Sequence, residues 1–118
     1  MGEQGITLLG ADYSVYTRIA RLALIEKQVP FCFRHFNIYD QTTWPDHYRE
    51  FHPFAKIPTL VHDGRPIIET GAITRYVDRA LDGPALQPSD LQTLSLCDSI
   101  IGMNDAYGFP ALIKGVYV

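Results

Sequence analysis

The chain has 118 residues, the size of one domain, with 47% hydrophobic and 19% charged residues, an ordinary globular composition able to bury a core. A formal net charge of −3 argues against a nucleic-acid partner, which needs a basic face to neutralise phosphates. No run approaches the roughly 18 apolar residues of a membrane span, and Met1-Gly2-Glu3-Gln4-Gly5 lacks the regions of a secretory signal, so a cytoplasmic protein without a membrane partner is expected.

Taken in order, Gly5-Ile6-Thr7-Leu8-Leu9-Gly10 is a short apolar run between glycines and predicts a buried first strand. Ala11 to Ser14 reads as a loop, and Val15 to Gln28 as a helix apolar on more than one side, ended by Val29-Pro30. Phe31 to Phe36 has the aromatic, alternating character of a second strand. From Asn37 to Phe51 the pattern is weak: Asp40 to Thr43 looks like loop, and Trp44 to Phe51 like an irregular helix with Pro45 in its first turn. His52-Pro53-Phe54-Ala55-Lys56-Ile57-Pro58-Thr59-Leu60 leads into a strand, and Asp63-Gly64 turns it tightly into another, so the two pair as a hairpin. Thr70 is expected to cap a helix in which Ile73, Tyr76, Val77, Ala80 and Leu81 form an amphipathic stripe. Asp82-Gly83-Pro84 stops that helix. Ser89 and Gln92 match a capping box for a helix to about Tyr107, interrupted at Gly108-Phe109-Pro110.

This order implies an α/β domain whose first two strands are parallel, joined by a right-handed helical crossover, with the hairpin adding an antiparallel pair. It is the thioredoxin-like βαβαββα arrangement. Residues 1–82 are read as that domain, 83–88 as a linker and 89–118 as the start of an all-helical region. The strongly apolar ending, Phe109 to Val118, is expected of a truncated chain or of a face that associates.

Three segments can carry chemistry. Ser14, where loop becomes helix, suits an N-cap; a thiol held there would also feel the helix dipole, and a hydroxyl donating to sulfur would favour the thiolate. Lys56-Ile57-Pro58 is either a proline opening a strand beside a solvated lysine or a place where a peptide can pair with Ile57 as an added strand. Glu69-Thr70 is either a plain helix start or an anion site, with a carboxylate on Thr70 and an ammonium on Glu69. Cys32 and Cys97 form no Cys-x-x-Cys pair, and His35, His47, His52 and His62 share no ligand spacing, so free thiols and no metal are expected.

The same segments carry a resemblance. Ser14-Val15-Tyr16-Thr17-Arg18 with Arg21-Leu22-Ala23-Leu24 resembles the "Ser-Pro-Tyr-Ser-Arg … Arg-Leu-Ala-Leu" run of serine-type glutathione transferases. His52 to Leu60, with Glu69-Thr70 after the hairpin, is similar to that family's "Asn-Pro-x-Gly-Lys-Val-Pro-x-Leu … Glu-Ser". The departures are valine for proline at Val15, histidine for asparagine at His52 and alanine for glycine at Ala55. The resemblance covers residues 5 to 82 and implies glutathione as co-substrate, with a cis bond before Pro58. It implies Ser14 as the thiol-activating residue, with Tyr13 as the competing candidate, and Lys56, Ile57, Pro58, Glu69 and Thr70 as glutathione contacts. It further implies a detoxifying homodimer acting on a small electrophilic or apolar second substrate. A non-catalytic glutathione-binding or assembly module is the alternative. A disulfide oxidoreductase is disfavoured by the missing Cys-x-x-Cys.

Overall fold

The computed structural model describes residues 5–116. Expectations for Met1 to Gln4, Tyr117 and Val118 fall outside the described residues. The chain forms two compact units that divide between Leu86 and Gln87.

The first unit runs β1 (Ile6–Gly10), α1 (Val15–Lys27), β2 (Cys32–His35), a 3-10 turn (Gln41–Thr43), α2 (Tyr48–Phe51), β3 (Thr59–His62), β4 (Arg65–Ile68) and α3 (Thr70–Ala80). Its strands make one sheet in the order β2-β1-β3-β4. β1 and β2 are parallel, and both β1–β3 and β3–β4 are antiparallel. The thioredoxin-like α/β arrangement expected from the element order is therefore the one observed. At the hairpin, Asp63 and Gly64 both take positive φ, 51° and 81°, the mirror-image turn whose twist matches that of the strands it joins.

Side-chain alternation divides the core into two layers. Leu8 and its cross-strand partner Leu60 pack with Ala20, Leu24, Ile73 and Val77 between the sheet and the α1–α3 pair. Leu9 points the other way and packs with Phe36 and Tyr48. Full burial of a leucine such as Leu8 stabilises the fold by about 1.5–3 kcal/mol, which is why four-residue strands suffice.

Several local expectations are corrected. α1 stops at Lys27, and Gln28 is its left-handed cap at φ 64°. The helix expected over Trp44 to Phe51 is only Tyr48–Phe51, while Gln41–Thr43, read as loop, is a 3-10 turn capped by the Asp40 carboxylate. Tertiary contacts override local propensity here. The Trp44 indole N–H donates to the carbonyls of Asn37 (3.1 Å) and Ile38 (3.3 Å), which holds Trp44 in extended backbone outside any helix. Glu69, not Thr70, occupies the N-cap of α3, and no side chain caps that helix.

In the second unit α4 (Leu91–Met103) is capped by Asp90 rather than by Ser89. The Asp90 carboxylate accepts from the Thr93 N–H at 2.7 Å, so the cap lies one residue beyond the expected box. Beyond Met103 the helix is widened, not broken. A π segment (Asn104–Gly108) precedes α5 (Phe109–Val116), and the Phe109 N–H reaches back five residues to the Asn104 carbonyl. That bulge accommodates Pro110, which has no N–H for an ordinary helical bond. No helix among the described residues is long and apolar enough to cross a membrane.

Candidate functional site

The register gathers the three candidate segments at one end of the sheet. Leu9 lies opposite Thr59, so the start of β3 stands beside the end of β1; Thr59 lies opposite Ile68, so β4 ends at the same edge. Ser14, Lys56-Ile57-Pro58 and Glu69-Thr70 thus leave three neighbouring strands whose roots, at about 4.8 Å per strand, span roughly 10 Å. β2 ends at His35 opposite Gly10, so Asn37 to Tyr39 also leave the sheet on this side.

Ser14 is the N-cap of α1, with extended backbone and an Oγ that accepts the Thr17 N–H at 3.1 Å. A hydroxyl that accepts one hydrogen bond keeps its own hydrogen to donate. Tyr13 is committed differently. Its phenol accepts the Ile38 N–H at 2.9 Å and donates to Asn37 Oδ1 at 3.2 Å, so its proton already has an acceptor within the fold.

The Ile57–Pro58 peptide is cis. Ladder pairing of β3 begins at Thr59, which leaves the backbone of Ile57 outside the sheet, while the Lys56 side chain is exposed. This approach is fixed by Tyr48, which the sequence reading did not single out. Its hydroxyl donates to the Lys56 carbonyl and meets Thr59 Oγ1 at 2.8 Å. Burial pushes the phenol up to about 12, against the lowering effect of the Thr59 bond, so Tyr48 stays a proton donor across the physiological range. Weak patterning around Tyr48 gave no signal of this role.

Thr70 is the first helical residue of α3, and Ile73 is the first whose N–H closes back on Glu69. The N–H groups of the residues between, together with that of Thr70, have no intrahelical partner, as in the first turn of any helix. Glu69 is exposed and holds φ 76°, and Ala55 holds φ 54° in the loop before Lys56. Non-glycine residues with positive φ cost of order 1–3 kcal/mol and cluster at functional sites, where the surrounding structure enforces them.

His52 is buried, stacks on Tyr48 with ring centroids 6.4 Å apart, and has an Nδ1 without a hydrogen-bond partner among the described residues. Burial holds its imidazole below the ordinary 6.5; the Glu69 carboxylate opposes that shift and the Lys56 ammonium adds to it. The unfolded chain therefore binds this proton more readily than the folded one. Stability from this group is complete above about pH 6.5 and declines as pH falls below it. Urea unfolding from about pH 7.5 down to about pH 5 should show a shallower decline in His52→Asn than in the wild type; identical slopes would remove His52 as the cause. Among the described residues no group of three or more His, Cys, Asp or Glu could hold a metal ion.

Comparison with known proteins bears on this geometry. The family profile of the glutathione S-transferase N-terminal domain matches residues 8–85. Glutathione S-transferase 3 of Glycine max is 35% identical over 86 residues, covering 72% of this chain and 38% of that protein. Glutathione S-transferase U9 of Arabidopsis thaliana is 34% identical over 89 residues, 75% of this chain and 36% of its own length. The chain thus spans little more than a third of these curated relatives. Among solved structures, the Tau-class glutathione S-transferase of mango, Mangifera indica, superposes with a TM-score of 0.83 at 28% identity, over 95% of this chain and 51% of that one. Rice GST1, solved in complex with glutathione, gives 0.73 at 26% identity, over 89% and 47%. The match over β1 to α3, the part of the chain that builds the site, shows that this chain belongs to the glutathione S-transferase N-terminal domain family.

Proposed function

We propose that the chain binds glutathione at this sheet end and activates its thiol for attack on an electrophilic carbon, with Ser14 as the activating group. The observation that carries the reading is the convergence of Ser14, Ile57 and Glu69-Thr70 on one edge of three adjacent strands. The Ser14 hydroxyl donates to the sulfur, and the positive end of α1 adds to the stabilisation of the thiolate. Ile57 pairs its free backbone with the cysteinyl residue, as an added strand would, and Pro58 sets the direction of that backbone. Lys56 takes one carboxylate. The open N–H groups at the start of α3 take the γ-glutamyl carboxylate, and Glu69 takes the ammonium. The thiol proton leaves to solvent, the sulfur lone pair forms the S–C bond, and in a substitution the leaving group departs with the bonding electrons.

Tyr13 is set aside as activator because its phenol is spent on Asn37 and Ile38. Residues 1–82 form the glutathione-binding domain on this reading, 83–88 the linker and 89–118 the start of a helical domain, in a cytoplasmic homodimer. Both rice GST1 and a Methylobacillus flagellatus transferase were solved with glutathione bound, which supports the choice of ligand. A glutathione titration by calorimetry, with thiolate absorbance read across pH, tests it. Binding with a depressed thiol pKa is expected. Binding with an unshifted pKa would make the chain a binding module, and no binding would reject the site.

A further inference from the structure

We propose that His52 is a positioning residue for Lys56 and Ile57: its neutral ring, docked against Tyr48, holds the turn that presents them, and proton uptake by the ring releases that turn and weakens glutathione binding in mild acid. The consequence for glutathione rests on the transferase reading; the release of the turn does not.

His52 to Ala55 form a turn closed by the Ala55 N–H, which donates to the His52 carbonyl at 2.9 Å. Tyr48 fixes both sides of it. On the entry side, the His52 N–H donates to the Tyr48 carbonyl at 2.9 Å, and the His52 ring, only 2% exposed, stacks on the Tyr48 ring with planes inclined by 25°. On the exit side, the Tyr48 hydroxyl donates to the Lys56 carbonyl. Phe54, within the turn, meets the imidazole edge-on with centroids 6.2 Å apart. Ala55 holds φ 54°, a conformation that alanine keeps only under such restraint. Undocking the ring frees the entry side and lets Ala55 relax, and Lys56 and Ile57 follow directly in the chain.

Protonation supplies the undocking. With its hydrogen on Nε2, the neutral ring presents only a lone pair at Nδ1, which is buried and has no hydrogen-bond partner among the described residues. An imidazolium docked in the same place would bury both its charge and an Nδ1–H that nothing accepts. The titratable groups that bear on the ring are the Tyr48 phenol on α2, the Lys56 ammonium in the following loop and the Glu69 carboxylate at the N-cap of α3. The phenol, pushed up to about 12, stays un-ionised. Lys56 opposes proton uptake and Glu69 favours it, but burial is the largest influence and holds the docked imidazole below the ordinary 6.5. A released ring titrates at about that ordinary value. Below about pH 6.5 proton uptake therefore favours the released turn, by at most about tenfold per pH unit.

Two measurements on the whole chain test this. In the first, solvent exchange of the Ala55 amide is followed by NMR and divided by the rate of an unstructured peptide at the same pH. From about pH 7.5 to about pH 5.5 the normalised rate should rise about three- to tenfold in the wild type and stay within about twofold in His52→Asn, whose amide does not titrate. In the second, S-methylglutathione, which has no thiol and so leaves the Ser14 step out, is titrated by calorimetry. Its Kd should rise about three- to tenfold over the same interval in the wild type and stay within about twofold in His52→Asn. An unchanged Ala55 rate in the wild type overturns the proposal whether or not the variant folds, and so does an equal rise in both chains. If the Ala55 amide responds in the wild type alone but S-methylglutathione binds equally well at every pH, the turn does not present Lys56 and Ile57 and the proposal is likewise overturned. If that amide responds in the wild type alone and S-methylglutathione binds at no pH, the proton-driven turn stands and the glutathione reading fails.

Discussion

Asp78→Ala is expected to destabilise the first unit by about 3–5 kcal/mol, the largest loss foreseen for a residue outside the candidate site. Lys27, in the last turn of α1, is only 3% exposed. Its Nζ donates to the Asp78 carbonyl at 2.7 Å and to Asp78 Oδ1 at 3.1 Å. Asp78 lies in the last turn of α3, where carbonyls have no intrahelical donor, so the lysine serves that helix end both as a hydrogen-bond partner and as a cation against its dipole. The same Oδ1 accepts the Leu86 N–H at 2.8 Å and draws the segment after α3 back onto the unit. Gly83 lies within that segment at φ 145°, and a Cβ there would sit 2.1 Å from the Lys27 carbonyl. Removing the carboxylate leaves a buried ammonium with a single neutral acceptor and also orphans the Leu86 N–H. Lys27→Met should cost less, because Asp78 would keep its bond from Leu86. Urea unfolding of both variants decides the matter, and a loss under about 1 kcal/mol for Asp78→Ala would mean that water reaches the pair.

Much of the fold was legible because its signals are local. The stripe Ile73, Tyr76, Val77 and the Asp63-Gly64 turn each need only a few neighbouring residues to be read, and Ile73 and Val77 are indeed buried. Ser14 as a cap was equally local. What escaped were residues whose partners are remote in sequence. Lys27 looks like a solvated cation near a helix end, and nothing nearby announces Asp78 fifty-one positions away. Tyr48 and Trp44 sit in a stretch without periodicity, yet they hold the Lys56 carbonyl and the Asn37 loop. The cap errors at α3 and α4 are of a different kind. Thr70 and Ser89 are good capping residues, but Glu69 and Asp90, each one position away, took the N-cap, and choosing between adjacent candidates depends on backbone angles set by the preceding strand or linker. In the candidate site the three segments were visible as motifs, while their meeting at one edge required the strand register.

Replacing the Ser14 hydroxyl should slow conjugation in a way that pH exposes. A free thiol has a pKa of about 8.5, and a depression of one to two units, about 1.4–2.7 kcal/mol, raises its ionised fraction at pH 7 from about 3% to roughly a quarter or three quarters. Ser14→Ala removes the hydroxyl's share of that depression, so kcat/KM should fall near pH 6.5, by at most about 10- to 50-fold if the hydroxyl supplies all of it. Above the unperturbed pKa, near pH 9, the thiol ionises unaided and the deficit should shrink to a few-fold. Stability must be separated from this, because Ser14 also caps α1 through Thr17, and alanine at an N-cap costs about 0.5–2 kcal/mol. Glycine at a cap costs only a few tenths of a kcal/mol, so Ser14→Gly should unfold close to wild type yet be as slow as Ser14→Ala. Ser14→Thr keeps both the cap and the donor and should recover most of the rate. A constant deficit across pH in the alanine and glycine variants would point to lost positioning of glutathione. Full activity in Ser14→Gly would remove the serine from the chemistry and leave it as a helix cap.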